Sequence, residues 1–348
     1  MLAQQIENDL DNFETQMQRF LIIQTAFIGD VVLATGMVEK LHASHPEAQI
    51  DFLVRKGNEG LLVNNPFLNE VLIWTKKENK WSNLFKLLQQ IRSRKYDKVI
   101  NLQRFASTGF LTAFANAKEK IGFDKNPFSF MFSKKIKHIM NDGRHEVERN
   151  HELIKDFTDA HFARPKLYPS ENDFKSIENY TTQQYICIAP SSVWFTKQYP
   201  VEKWIEFINE TPSFIKIFLL GGKEDKELCE NIAASSTNKN TEVLAGKLIF
   251  LQSAALMKNA VMNYVNDSAP LHFASAMDAP VTAIFCSTIP AYGFGPLSTK
   301  SFIVETKEQL SCRPCTLHGR KACPLGHYKC AFTIETTQLL NSIDNVHA

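Results

Sequence analysis

Four short stretches of this chain set acids, hydroxyls and single cations where an apolar run gives way to a helical pattern. The first, FLIIQTAFIGDVVLAT from Phe20 to Thr35, puts Gly29 and Asp30 between a strand-like run and a helix-like one. In open parallel sheets, ligands bind beyond the carboxyl ends of the strands, so a carboxylate there can meet a reacting hydroxyl and take its proton. The same position also suits an acid that does no more than cap a helix. Gly29 lets a ligand or a second backbone come close. A lone glycine is not the G-x-G-x-x-G turn of dinucleotide sites, which argues against a nicotinamide-dependent dehydrogenase.

The other three stretches lie in the second half. In APSSVWFTKQYP, from Ala189 to Pro200, Ser191, Ser192, Thr196 and Lys197 offer hydroxyl and ammonium donors suited to a diphosphate. A turn with a solvated lysine would read the same way. In LLGGKED, from Leu219 to Asp225, a strand ends in two glycines, and Glu224 or Asp225 can bind ribose hydroxyls or cap the next helix. In VNDSAPLHFASA, from Val265 to Ala276, a strand delivers Asn266 and Asp267 to a helix starting near Ser268–Pro270. Proline is well tolerated there, and the free N–H groups of a helix start favour phosphate. His272 falls in the same turn, where it can reach a phosphate or sugar hydroxyl, or be a packing histidine.

The elements that must carry these residues alternate. Apolar runs predict strands at Phe20–Gln24, Gln49–Val54, Val71–Trp74, Lys98–Asn101 and Lys120–Phe123, with helices at Gly29–His42 and Trp81–Arg94. A less regular stretch holds the basic run Lys134, Lys135, Lys137, His138 and a helix around Glu148–Phe162, before the proline-bearing linker Arg164–Ser170. The alternation then restarts: strands at Tyr185–Ala189, Ile215–Leu220, Val261–Val265 and Val281–Phe285, helices at Val201–Asn209, Lys223–Ala234, Ala269–Met277 and Ile334–Ile343. At the amino end, Leu2, Ile6, Leu10, Phe13 and Met17 predict an amphipathic helix packed on the protein body. The pattern is α/β, two facing Rossmann-like domains with a cleft between them, at 1–168 and 169–348.

The 348 residues and 44% hydrophobic content suit two cores. A net charge of +2 points to no nucleic acid and no membrane surface on global grounds. No signal peptide and no membrane-spanning run is visible, so the expected location is the cytoplasm. Seven cysteines fit a reducing compartment. Four of them, Cys312, Cys315, Cys323 and Cys330, fall in the loop 312–330 with His318 and His327. That grouping suits a structural Zn²⁺, reduced free thiols or a disulfide.

The run IGDVVLAT, Lys197 with Pro200, and NDSAPLHFASA occur in the order of three motifs of the lipopolysaccharide heptosyltransferases, glycosyltransferase family 9, and the chain resembles that family from about residue 19 to 340. Val99–Gln103 and Ile121–Asp124 are also similar. Ser191, Gln198–Tyr199 and Ala269 depart from the family's usual glycine, Arg-Trp and glycine. The resemblance implies a GT-B-type fold with an acceptor-binding amino half and a donor-binding carboxyl half. It implies inverting transfer of heptose from ADP-heptose to a lipopolysaccharide inner-core acceptor, with Asp30 as general base, Lys197 on the leaving diphosphate and no catalytic metal. Arg104 and the basic run would then meet an anionic lipid-linked saccharide acceptor, with transient contact at the inner membrane. A transferase of the same fold using another nucleotide sugar, or an inactive binding or assembly protein, are the alternatives.

Overall fold

The computed structural model describes residues 17–76 and 79–347, with side chains to 343. The helix expected at Leu2–Met17 lies almost wholly outside the described residues. The first half builds a sheet from β1 (Arg19–Ile23), β2 (Gln49–Arg55), β3 (Glu70–Trp74), β4 (Tyr96–Asn101), β5 (Ala117–Phe123) and β6 (Lys134–Ile136). The second uses β7 (Tyr185–Ala189), β8 (Lys216–Leu219), β9 (Thr241–Val243), β10 (Met262–Asn266), β11 (Val281–Phe285) and β12 (Ser301–Glu305). The strand orders are β3-β2-β1-β4-β5-β6 and β12-β11-β10-β7-β8-β9, so the two sheets share one topology. All their pairings are parallel. In each, the order reverses between the first and fourth strands, and that switch point is where doubly wound sheets open a crevice.

The helices are α1 (Ile28–Ser44), α2 (Lys80–Ser93), α3 (Ala106–Phe114), α4 (Glu146–His151), α5 (Glu171–Ser176), α6 (Val201–Glu210), α7 (Lys226–Ser235), α8 (Phe250–Asn259), α9 (Ala269–Ala276), α10 (Lys329–Phe332) and α11 (Thr336–His347). Their composition decides their place. In α6 only Trp204, Phe207 and Ile208 are buried, one stripe against the outer face of the second sheet. In α1 burial is nearly continuous from Val31 to Val38, and in α9 from Leu271 to Ala276. Helices apolar all round must be covered all round, and α1 and α9 pack on each other between the two halves. One apolar cluster therefore joins Val31, Val38 and Phe52 of the first half to Leu256, Leu271 and Phe285 of the second.

Several expectations shift. The helix expected at Glu148–Phe162 is the short α4 followed by a 3-10 turn at Lys155–Phe157, because Leu153 and Ile154 turn into the shared core. The basic run is in part an edge strand, β6, pairing Lys134 with Ile121. The linker is bound down rather than free: Lys166 N donates to Thr35 Oγ1 at 2.9 Å, and the Tyr168 hydroxyl binds Glu39 at 2.9 Å.

Candidate active site

The switch points position three of the four stretches, while Leu219–Asp225 follows the neighbouring strand β8. Asp30 follows β1 and Arg104 follows β4; the Ser191–Lys197 loop follows β7 and Asp267 follows β10. Across the divide the halves touch at Gly29, where an added Cβ would lie 2.7 Å from His272 Cδ2. Only a residue without a side chain permits that approach.

Asp30 sits in the first turn of α1, its Oδ2 accepting the Phe27 N–H at 3.1 Å. It thus does the capping work, yet its pKa is raised to about 6. Burial is the main cause and Glu146 the second, opposed by the backbone N–H groups of Phe27 and Asp30 and by Lys197. A carboxylate so held is a better proton acceptor than an ordinary aspartate and still ionised at neutral pH. Glu146 is set in place from α4: Arg149 binds it at 3.0 Å, and its N–H donates to Gly293 O at 2.8 Å.

Lys197 stands on the opposite wall. Its Nζ lies 2.7 Å from Asp267 Oδ2, which also accepts the Thr288 hydroxyl at 2.6 Å. Both charged side chains are mostly buried. The ammonium is thereby aimed beside the start of α9, whose cap residue Ser268 makes no side-chain capping bond.

Other expected ligands have structural duties. Asn266 is fully buried: its Oδ1 accepts the Tyr199 N–H at 2.9 Å and its Nδ2 donates to Pro190 O at 2.8 Å, so it fixes the 190–199 loop rather than facing a donor. Thr196 is buried too, accepting the Arg320 N–H at 2.8 Å and meeting Ser287 Oγ at 3.0 Å. Asp225 closes its own turn by accepting the Gly222 N–H at 2.8 Å, whereas Glu224 is exposed. Ser191 and Ser192 are half-exposed, and their carbonyls accept from Asn266 and Gln198. Ser268 is also half-exposed, its hydroxyl 3.4 Å from Asn266 O. His272 is a neutral packing ring: burial first, then His145 and Lys197, push its pKa down to about 3. It meets α1 and brings no positive charge to a phosphate.

Two groups escaped the sequence reading. Lys76 Nζ donates to Thr25 O and Oγ1 at 3.1 and 3.2 Å, and its pKa is lowered to about 8 by burial and by Arg55 and Lys80. These cations flank the loop that leads to Asp30, but nothing in their sequence spacing ties them to it. The cysteine loop also reaches the site. Thr196 N donates to Arg320 O at 3.1 Å, and a Cβ on Gly319 would fall 2.9 Å from Lys197 Cγ. His318 is held below its ordinary pKa by desolvation, then by Arg104 and Lys197, which brings the loop and Arg104 to one place.

The loop's thiols are free. Burial, then Cys323, Cys312 and Cys315, push the Cys330 thiol up to about 11, so the four are neighbours. Among the described residues, however, no group of three or more His, Cys, Asp or Glu side chains is arranged to hold a metal ion. The loop gathers the expected zinc ligands without forming a ligand set.

A family model described as glycosyltransferase family 9 (heptosyltransferase) matches residues 84–328. The chain is 28% identical over 281 residues to lipopolysaccharide heptosyltransferase 3 of Escherichia coli, covering 75% of this chain and 82% of that one. A glycosyl transferase family 9 structure from Veillonella parvula superposes with a TM-score of 0.82 at 21% identity, over 94% and 97% of the two chains. An E. coli heptosyltransferase solved with ADP superposes with a TM-score of 0.72 at 19% identity, over 94% and 100%. The twin sheets are therefore those of a GT-B fold, and the chain belongs to glycosyltransferase family 9, the heptosyltransferases.

Proposed function

We propose that this enzyme transfers heptose from ADP-heptose to a lipopolysaccharide inner-core acceptor with inversion, at the cytoplasmic side of the cell. One observation carries the reading. Asp30 and Lys197, at the switch points of opposite halves, are electrostatic neighbours. A base and a cation so opposed suit a displacement in which the acceptor oxygen attacks the anomeric carbon as the sugar–phosphate bond breaks. The acceptor proton passes to Asp30 and the negative charge goes out with ADP. Lys197 turns from Asp267 to the departing diphosphate, and the uncapped N–H groups of α9 add to that stabilisation. Asp267 is then a positioning residue, and Glu224 rather than Asp225 is free for the ribose. Arg104, Arg55, Lys76 and Lys80 offer positive charge to an anionic acceptor. The names of the relatives, and the ADP bound in a related structure, support the donor and acceptor classes.

Calorimetry with ADP, ADP-heptose, UDP-sugars and GDP-sugars tests the donor. Selective binding of ADP and ADP-heptose, with turnover that added Mg²⁺ or Mn²⁺ does not raise, is the expected result. Preference for another nucleotide would reassign the donor, and turnover that depends on added Mg²⁺ or Mn²⁺ would overturn the role given to Lys197. We also propose that Cys312, Cys315, Cys323 and Cys330, which neighbour one another without being arranged as a ligand set, draw together on a structural Zn²⁺. One equivalent of metal in protein purified without chelator is expected. Metal-free protein whose melting temperature ignores added zinc would overturn it.

A further inference from the structure

The outer face of the first half carries a run of aromatic rings that the transfer chemistry does not use. Phe85 of α2 meets Phe110 of α3 edge-on at 5.8 Å; Phe110 meets Phe114 at 4.9 Å and Phe128 at 6.2 Å. Phe128 stacks on Phe130 at 6.4 Å. The inner members cover the core, but the outer ones do not. Trp81 is 66% exposed, Phe85 54% and Phe130 74%, and Phe105, Phe114 and Met131 are exposed beside them. Trp81 and Phe85 lie one turn apart on the shoulder of α2 that faces α3. Six large apolar side chains on one connected surface exceed the scattered exposure of an ordinary soluble face.

The charge around them is mostly positive. Neither α2 nor α3 contains an acid. From 103 to 137 there are seven lysines and arginines against two acids. Both acids are engaged, Glu119 with Lys98 and Asp124 with the His138 N–H at 3.2 Å, and two of the cations are paired, Lys118 with Asp97 at 2.8 Å and Lys134 with Asp156, which leaves five cations of the stretch without an acid among the described residues. The cations sit among the rings. Lys80 lies 5.3 Å over Trp81 and Arg104 5.8 Å over Phe105, while Arg92 donates to Phe114 O at 2.9 Å. Lys86 and Lys125 are exposed. Aromatic rings that seat at the headgroup level, ringed by lysine and arginine, match an anionic bilayer in both hydrophobicity and charge. The net charge of the whole chain hid this, because +2 is an average over a surface with a local excess.

We propose that the α2–α3 face with the 125–131 loop docks this enzyme on an anionic phospholipid surface. The face borders the cleft through Arg104 and Phe105, which directly follow the switch-point strand β4. A lipid-linked acceptor held in that surface would enter beside Arg104, an orientation that rests on the acceptor class proposed above. The docking itself does not rest on it.

The test uses the full chain and vesicles of phosphatidylethanolamine with phosphatidylglycerol, compared with vesicles of phosphatidylcholine alone. Co-sedimentation is expected with the first and not the second, and should weaken as salt is raised. A Phe85→Ser, Phe130→Ser double variant and a Lys86→Glu, Lys125→Glu double variant should each bind roughly tenfold more weakly or worse. ADP binding, measured on the same samples, should be unchanged in both. A wild-type protein that binds ADP but ignores phosphatidylglycerol would overturn the docking face and leave the transfer reading intact. Variants that still sediment like the wild type would also overturn it, as would light scattering that shows the face buried between two copies in solution. Vesicle binding without ADP binding would overturn the donor assignment instead.

Discussion

Asp30 spends stability to be a base. Its pKa in the fold, about 6, lies above the ordinary 3.8 because burial and Glu146 oppose the charge. For an acid with a raised pKa, the folded state binds more protons than the unfolded one between those two values, so stability falls as pH rises through that window. Asp30→Asn removes the partly buried charge and can keep the acceptor for the Phe27 N–H. It should raise stability at neutral pH by on the order of 1–2 kcal/mol, with no gain below about pH 4. Turnover should drop about 10²–10⁴-fold with ADP affinity kept. Thermal melts across pH, paired with kinetics, check both halves of this; an unchanged rate would remove Asp30 from the chemistry. The wild-type rate should climb as pH rises through about 6, where the base ionises. Gly29 is the second decisive residue. In Gly29→Ala the new methyl meets His272, which is locked between the halves. The variant should fold, yet lose roughly 10²-fold in turnover from misplacement of the two walls, read by kinetics against an unchanged far-ultraviolet spectrum.

At the scale of elements, the turn carrying Lys197 and the cysteine loop form one unit. Thr196 ties them: its hydroxyl takes the Arg320 N–H and meets Ser287, and its own N–H goes to Arg320 O. Thr196→Val leaves the Arg320 N–H without that partner, at a cost of about 1–3 kcal/mol. The loop should loosen and Lys197 with it. Turnover should fall and faster hydrogen exchange should appear at 312–330, and protection left intact there would separate the two elements. This coupling could not be read from the sequence, since it joins residues more than a hundred positions apart through backbone groups. What was legible followed periodicity and motif. The strand Tyr185–Ala189 is an unbroken apolar run and Val281–Phe285 is interrupted only by Thr282, and the structure has them at those bounds. Strands β9 and β12 went unseen because edge strands are mixed in character, and runs such as TEV and SFIVE are as common in loops. Helix α3 went unseen because its small residues and glycine lack a helical signature. In the site, Asp30 and Lys197 stand where residue type and position predict them, whereas Asn266 and Thr196, expected as ligands, are held by buried hydrogen bonds. A polar residue at a strand end is equally suited to holding a loop, and only the partners tell the two apart.

At the scale of the molecule, the two sheets have two outer cores of their own and one inner core in common. The inner core joins α1 and α9, helices too apolar to face water on any side. Polar ties reinforce it: Arg149 donates to Tyr292 O at 3.1 Å, His145 meets Gly295 O at 3.0 Å, and Glu146 donates to Gly293 O. Separating the halves would expose that apolar face and strand the buried guanidinium, so neither half should persist once the other is lost. Calorimetric unfolding should therefore show one transition whose calorimetric and van't Hoff enthalpies agree. Arg149→Met should lower stability by about 3 kcal/mol or more, because it leaves Glu146 without its cation and the Tyr292 and Ile139 carbonyls without a donor. That variant should also lower the melting temperature of both halves together. Two resolved transitions, or a loss confined to the first half, would mean that the shared core is a contact surface rather than a core.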